Sequence, residues 1–229
     1  MTKRILIACL ATLAFSTAQA GDITFLNPQH DVTAIATTSD GLAGFDFQTS
    51  PPSAAPIFAS ADSLGTTDVA TAGAIGGPGL LSTSADVTAG IEGIATATAL
   101  SHFMGSFVLG AAEPFIVVDF TPFSFEIGSG NATTSLFVKL TSGATTVFSG
   151  AVDGPWGWRV TPGTTYVLDL LLSSEATAGF NPLGEGNASS TGLATVASAV
   201  PLPAPWLLLL VGLGPIAAAR KRAARARGI

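Results

Sequence analysis

The feature that most constrains this chain is the brevity of its apolar runs, which are rich in β-branched and aromatic residues and broken by turn formers. Runs of about four to eight such residues suit strands rather than helices. Asp22-Ile23-Thr24-Phe25-Leu26 and the stretch from Asp31 to Thr37 read as two strands split by Asn27-Pro28. Phe115-Ile116-Val117-Val118-Asp119-Phe120 is continuous enough to predict a strand covered on both faces. Phe123, Phe125 and Ile127 then alternate with Ser124 and Glu126, the mark of a one-sided strand. Leu136-Phe137-Val138-Lys139-Leu140 and Thr145-Thr146-Val147-Phe148 flank Ser142-Gly143-Ala144, a hairpin turn. From Thr164 to Leu172, Tyr166, Leu168, Leu170 and Leu172 share one face, with Asp169 opposite.

No long amphipathic helix competes with these strands. The predicted fold is therefore all-β, a single antiparallel β-sandwich of jelly-roll-like type over residues 21–178. Residues 60–100 are mostly Ala, Thr and Gly and read as weak strands and loops, with room for a short helix. Asp86-Val87-Thr88-Ala89-Gly90-Ile91 faintly echoes Asp31-Val32-Thr33-Ala34-Ile35, but two poor copies do not make a repeat. Gly184, Gly186, Ser189 and Ser190 give residues 179–199 the composition of a flexible spacer.

Composition decides what the middle region meets. Hydrophobic residues make up 48% of the chain and charged residues only 10%, yet the apolar runs longest enough to matter lie at the two ends. All the acids fall between Asp22 and Glu185, where only Lys139 and Arg159 oppose them. Such a body lacks the cations that replace phosphate counterions, which excludes nucleic acid as a partner. The single cysteine, Cys9, lies near the start, so no disulfide framework supports the domain. Leu6-Ile7-Ala8-Cys9 loosely fits a lipoprotein box, but only four residues separate Cys9 from the basic pair, too few for a complete apolar region before it.

Residues 1–20 have the three parts of a secretory signal. Lys3 and Arg4 form the basic start, Ile5 to Phe15 the apolar stretch, and Ala18-Gln19-Ala20 the small-x-small cleavage site before Gly21. At the other end, Val200-Pro201-Leu202-Pro203-Ala204 precedes an apolar segment, residues 206–219, and a basic cluster that includes Arg220, Lys221 and Arg222. As a helix, 206–219 would rise about 21 Å, short of a hydrocarbon core of roughly 30 Å. Flanking residues and snorkelling cations would have to complete the span, with Trp206 at the outer interface and the Arg-rich tail on the cytoplasmic side.

This Pro-rich motif, apolar helix and basic tail, in that order at the C-terminus, resembles the VPLPA variety of the PEP-CTERM sorting signals of Gram-negative bacteria. The resemblance covers residues 200–229 and is silent on the domain before them. It implies recognition by an exosortase-like membrane protease, after a signal peptidase has removed the leader. It also implies cleavage near the motif and a place at the cell surface or in an exopolysaccharide or biofilm matrix. A proline-rich stretch resists helix formation and stays extended, which suits a processing site. The alternative for this end is an unprocessed C-terminal anchor.

Nothing in the middle region assembles into a recognised reaction. A hydrolase needs a nucleophile, a base and an orienting group, and there is no Gly-x-Ser-x-Gly elbow. His30 follows Asn27-Pro28-Gln29 and reads as a solvated loop histidine, and His102 reads as a half-buried strand residue. Neither has a second histidine or cysteine at zinc-ligand spacing. Glu92, Glu113 and Glu126 are candidates for carboxylate pairs but read as surface charge. An acidic exported domain suits calcium, but no Asp-x-Asp-x-Asp loop names a site, and no other cofactor is expected. Asn131-Ala132-Thr133 and Asn187-Ala188-Ser189 match the glycosylation pattern, without force in a bacterial export context. The most suggestive local feature is Trp156-Gly157-Trp158-Arg159: in an extended strand both indoles face one way. They either form a sugar-stacking platform, making the domain a carbohydrate-binding module, or plug the end of the sandwich. The expected function is a structural or adhesive surface protein, not an enzyme.

Overall fold

Alternation of inward and outward side chains carries almost the whole middle region into strands. The computed structural model describes residues 23–50, 55–111, 114–179 and 185–199. Among these residues every regular element is a strand and none is a helix. The first sheet runs β2 (Gly44–Ser50), β1 (Leu26–Thr38), β6 (Ala95–Val108), β11 (Thr165–Ala178), β8 (Gly130–Ser142) and β9 (Thr145–Val152). The second runs β3 (Ile57–Leu64), β4 (Val69–Gly77), β5 (Leu80–Ala89), β12 (Gly186–Ala199), β7 (Phe115–Ile127) and β10 (Trp156–Arg159). Both are antiparallel, and they pack face to face as a sandwich.

The core between them is graded along the strands. On β11 the inward residues run Ala178, Ala176, Ser174, Leu172, Leu170, Leu168, Tyr166. On β6 they run Ala95, Ala97, Ala99, Ser101, Phe103, Gly105, Phe107. The register aligns these series, with Ala176 opposite Ala97, Ser174 opposite Ala99 and Leu170 opposite Phe103. The two buried clusters divide the same way. One is alanine throughout apart from Val32 and Val87. The other is built of Leu, Phe, Val and Ile with Tyr166 and Ala194.

Hydroxyls join the sheets where the two clusters meet. Thr83 bonds Ser174 at 2.7 Å and Thr134 bonds Ser190 at 2.6 Å. Ser101 donates to the Ile75 carbonyl at 2.8 Å. Each buried hydroxyl thus has the partner that its desolvation requires.

Small inward side chains let the backbones approach closely at the alanine end. A Cβ on Gly130 would lie 1.9 Å from the Asn187 carbonyl oxygen, so no larger residue fits there. The β2/β3 edge closes in the same manner, since a Cβ on Gly44 would lie 2.4 Å from the Asp62 carbonyl oxygen. At that edge the Asp46 carboxylate accepts the Ser60 N–H at 3.1 Å.

Several expectations change. Residues 60–100 are not weak strands and loops with a helix but most of β3, all of β4 and β5 and the first part of β6. Residues 186–199, expected in a flexible spacer, form β12, which lies between β7 and β5. Its Gly, Ala and Ser content reflects inward positions too narrow for large side chains: Gly186, Ala188, Ser190 and Gly192 are all buried. Asn27-Pro28 does not separate two strands. It makes an irregularity in β1, with Asn27 at φ 50° and a register shift between Leu26 and Gln29. Phe115 to Phe120 is one-sided, with Ile116, Val118 and Phe120 buried and Asp119 exposed. The hairpin of β8 and β9 and the inward face of Tyr166, Leu168, Leu170 and Leu172 are as expected. The signal peptide, the Val200–Ala204 motif, the 206–219 segment and the basic tail lie outside the described residues.

Candidate functional site

Trp156 and Trp158 lie on β10, at the edge of the second sheet, and alternation turns both toward the interior. Their rings stack at 6.2 Å with an interplanar angle of 17°. Phe148, on the facing edge strand β9, sits 4.9 Å from the Trp156 ring and 6.0 Å from that of Trp158. The three rings pack against the Leu/Phe cluster, and both indoles remain half-buried. Arg159 is exposed beside them and stands opposite Phe115 in the register. This geometry closes the sandwich edge and leaves part of each indole to solvent.

The two histidines differ from each other. His30 is not in a solvated loop: it lies on β1, fully buried, with its ring stacked on Phe103 at 5.3 Å. The inward alternation of Val32, Ala34 and Ala36 extends back one step to His30, which lies just after the Asn27-Pro28 irregularity, and carries it inside. His102 is half-buried on the outer face of β6, as expected. Its Nε2 lies 2.9 Å from Asp169 of β11, and its Nδ1 lies 3.4 Å from Asp31 of β1. The hydrogen bond that the ring donates to Asp169 is the largest influence on it and raises its pKa. Burial opposes it, and Asp31 adds to the rise. Both ring nitrogens face carboxylates, so neither is turned to a nucleophile, and the arrangement favours the protonated ring.

Asp31 and Asp169 were both legible as outward-facing strand residues. Their convergence on His102 was not, because it depends on β1, β6 and β11 being neighbours, which no local pattern reveals.

The acids proposed for chemistry are scattered. The Glu126 carboxylate accepts the Ala132 N–H at 2.7 Å. Glu92 borders a hollow with Thr67, Ile91 and Glu185, and Glu113 lies outside the described residues. Asn131 is exposed on β8, and Asn187 accepts the Thr88 hydroxyl at 2.7 Å. Among the described residues no group of three or more His, Cys, Asp and Glu is placed to hold a metal ion.

Asp68 is the carboxylate that the sequence reading missed. It is 1% exposed and accepts the Gly90 N–H at 2.9 Å and the Ser39 hydroxyl at 2.8 Å. Burial alone would raise its pKa, but the hydrogen bonds from Gly90, Ser39, Thr67 and Ile94 together hold the carboxyl below its ordinary value. It ties the loops that follow β1, β3 and β5 at the alanine end. Comparison with known proteins finds no family model that matches the chain and no match among curated proteins.

Proposed function

We infer that this chain is an exported surface or extracellular-matrix protein, sorted through its Val200–Ala204 motif by an exosortase-like protease. The observation that carries this reading is an adjacency. β12 ends at Ala199 and the Pro-rich motif begins at the next residue. A cut within Pro201–Pro205 therefore leaves all twelve strands of the described residues on the released side. The role is structural or adhesive rather than enzymatic, and the destination is the cell surface or the medium after passage across the inner membrane. Intact mass of the protein recovered from envelope and medium tests it. Loss of the residues beyond the motif supports sorting; a mass running to Ile229 means a permanently anchored protein.

The finer fold reading is a jelly roll. From β5 to β12, the strands order as β5, β12, β7, β10 in one sheet and β6, β11, β8, β9 in the other. Apart from the β8–β9 hairpin, consecutive strands alternate between the two sheets, as in a doubled Greek key, with β1 to β4 extending both sheets on one side. This order favours the second functional reading, a carbohydrate-binding module, for which Trp156, Trp158 and Arg159 are the first candidate surface.

A further inference from the structure

The strand register builds a channel on the outer face of the second sheet, well apart from the tryptophan edge. Asp62, Thr71, Asp86 and Ser189 stand side by side across β3, β4, β5 and β12. The next outward row, along the same strands, is Ser60, Gly73, Ser84 and Thr191. These two rows are small and polar. The rows beyond them carry exposed apolar residues among polar ones: Leu64 and Val69 with Thr88 and Asn187 on one side, Phe58, Ile75 and Leu193 with Ser82 on the other. Same-face neighbours along a strand lie about 6.8 Å apart, so the polar floor runs across the strands as a band. At strand spacings of about 4.8 Å, it is roughly 14 Å long from β3 to β12. Beside the first row lies a hollow of about 300 Å³ where Phe125 and Ile127 of β7 meet Asp86 and Asn187.

We propose that this channel binds an amine-bearing polysaccharide laid across the strands. The direction excludes an extended peptide paired by its backbone, since peptides add to sheet edges and this floor offers only side chains. An amphipathic polymer of rings matches it better. Hydroxyls and amines meet Ser60, Ser84, Ser189 and Thr191, while the C–H faces of the rings lie on Phe58 and Phe125. Charge chooses among such polymers. The floor carries the carboxylates of Asp62 and Asp86 and no cation, and the described domain holds only Lys139 and Arg159 against its acids. An uronate or phosphate-bearing chain is repelled, and a protonated amine is attracted. The site stands or falls apart from the sorting reading, because intact mass tests processing and ligand retention tests the channel.

The test is retention of the full chain in detergent by a soluble polyglucosamine oligomer, with a polyuronate and a neutral glucan in parallel. The expected order is polyglucosamine, then neutral glucan, with no retention by the polyuronate. Gly73→Trp fills the floor on the outward face and should weaken polyglucosamine binding by at least about tenfold. Asp62→Asn with Asp86→Asn should weaken it about fivefold and abolish its sensitivity to salt. Trp156→Ala with Trp158→Ala tests the edge surface in parallel, and Glu175→Gln, exposed on β11 of the other sheet, should leave polyglucosamine binding unchanged. An unchanged melting temperature shows that each variant is folded, and Gly73→Ser replaces Gly73→Trp if that variant melts early. The proposal is overturned by failure to bind polyglucosamine. Equal retention by the polyuronate, or loss of binding only in the tryptophan variant, would also overturn it.

Discussion

The two ends of the sandwich share β5, β6, β8, β11 and β12, with β1, β3 and β4 adding only to the alanine end and β7 only to the other, yet they are held together by different means. At the Leu/Phe end, large side chains such as Leu168, Leu170 and Phe103 are withdrawn completely from water. Each such burial contributes roughly 1.5–3 kcal/mol. At the alanine end each side chain removes far less apolar surface. Stability there rests on close approach of the sheets and on loops fastened by Asp68. One end is sensitive to what is taken away and the other to what is added.

The largest effect should come from the thick end. Leu170→Ala on β11, whose leucine is 0% exposed, should cost about 2–5 kcal/mol, because the rigid sheets cannot collapse into the space. Chemical denaturation with an unchanged slope would check it. A loss below that range would mean that this end relaxes as easily as the other.

The matched change on the same strand is Ala176→Leu, the next inward position beyond Ser174. Ala176 is 0% exposed and faces Ala97 and Ala132 across its neighbours. Overpacking should cost about 1–3 kcal/mol. The two variants should differ in kind as well as size, with Ala176→Leu forcing strands apart and speeding amide exchange in β12. Stabilisation by this substitution would erase the contrast between the ends.

Asp68 sharpens the comparison through pH. Its folded pKa is depressed, so its contribution is present above the unfolded value of about 3.9 and is lost as pH falls through the lower folded value. Asp68→Ala leaves the Gly90 N–H and the Ser39 hydroxyl short of a partner and should cost about 1–3 kcal/mol at neutral pH. The gap in melting temperature between the variant and the parent should close below about pH 4. A gap that persisted there would assign Asp68 a role other than its charge.

How much of this was readable beforehand follows the same division. The thick end announced itself: Tyr166, Leu168, Leu170 and Leu172 alternate with polar residues, and large apolar side chains give strong periodicity. The thin end did not, because alanine, glycine, serine and threonine occupy both faces of β4, β5 and β12. With little contrast between faces, composition alone suggested loops and a spacer. Candidate surfaces were harder still, since the polar floor on the second sheet exists only through pairings between strands as distant as β5 and β12. Trp156 and Trp158 were legible as one face from a spacing of two. That Phe148 lies against them depended on the order of strands at the far edge.

His102 provides the smallest and most local test, on the outer face rather than in either half of the core. Its pKa is raised in the folded chain, chiefly by Asp169, with Asp31 in support. The sign follows from linkage. The stabilising contribution is fully present below the unfolded value of about 6.5 and fades as pH rises through the raised folded value. Lys139 stands opposite Asp169 in the register of β8 and β11. Asp169→Asn should therefore bring the His102 titration, followed by the ring proton resonances, down toward its ordinary value. Asp31→Asn, at the longer contact, should move it less. His102→Gln should flatten the slight decline in melting temperature above neutrality while leaving the Leu170 and Ala176 effects unchanged, since the cluster touches neither. Coupling between His102 and Ala176 in a double-mutant cycle would show that the outer face and the thin core are not independent.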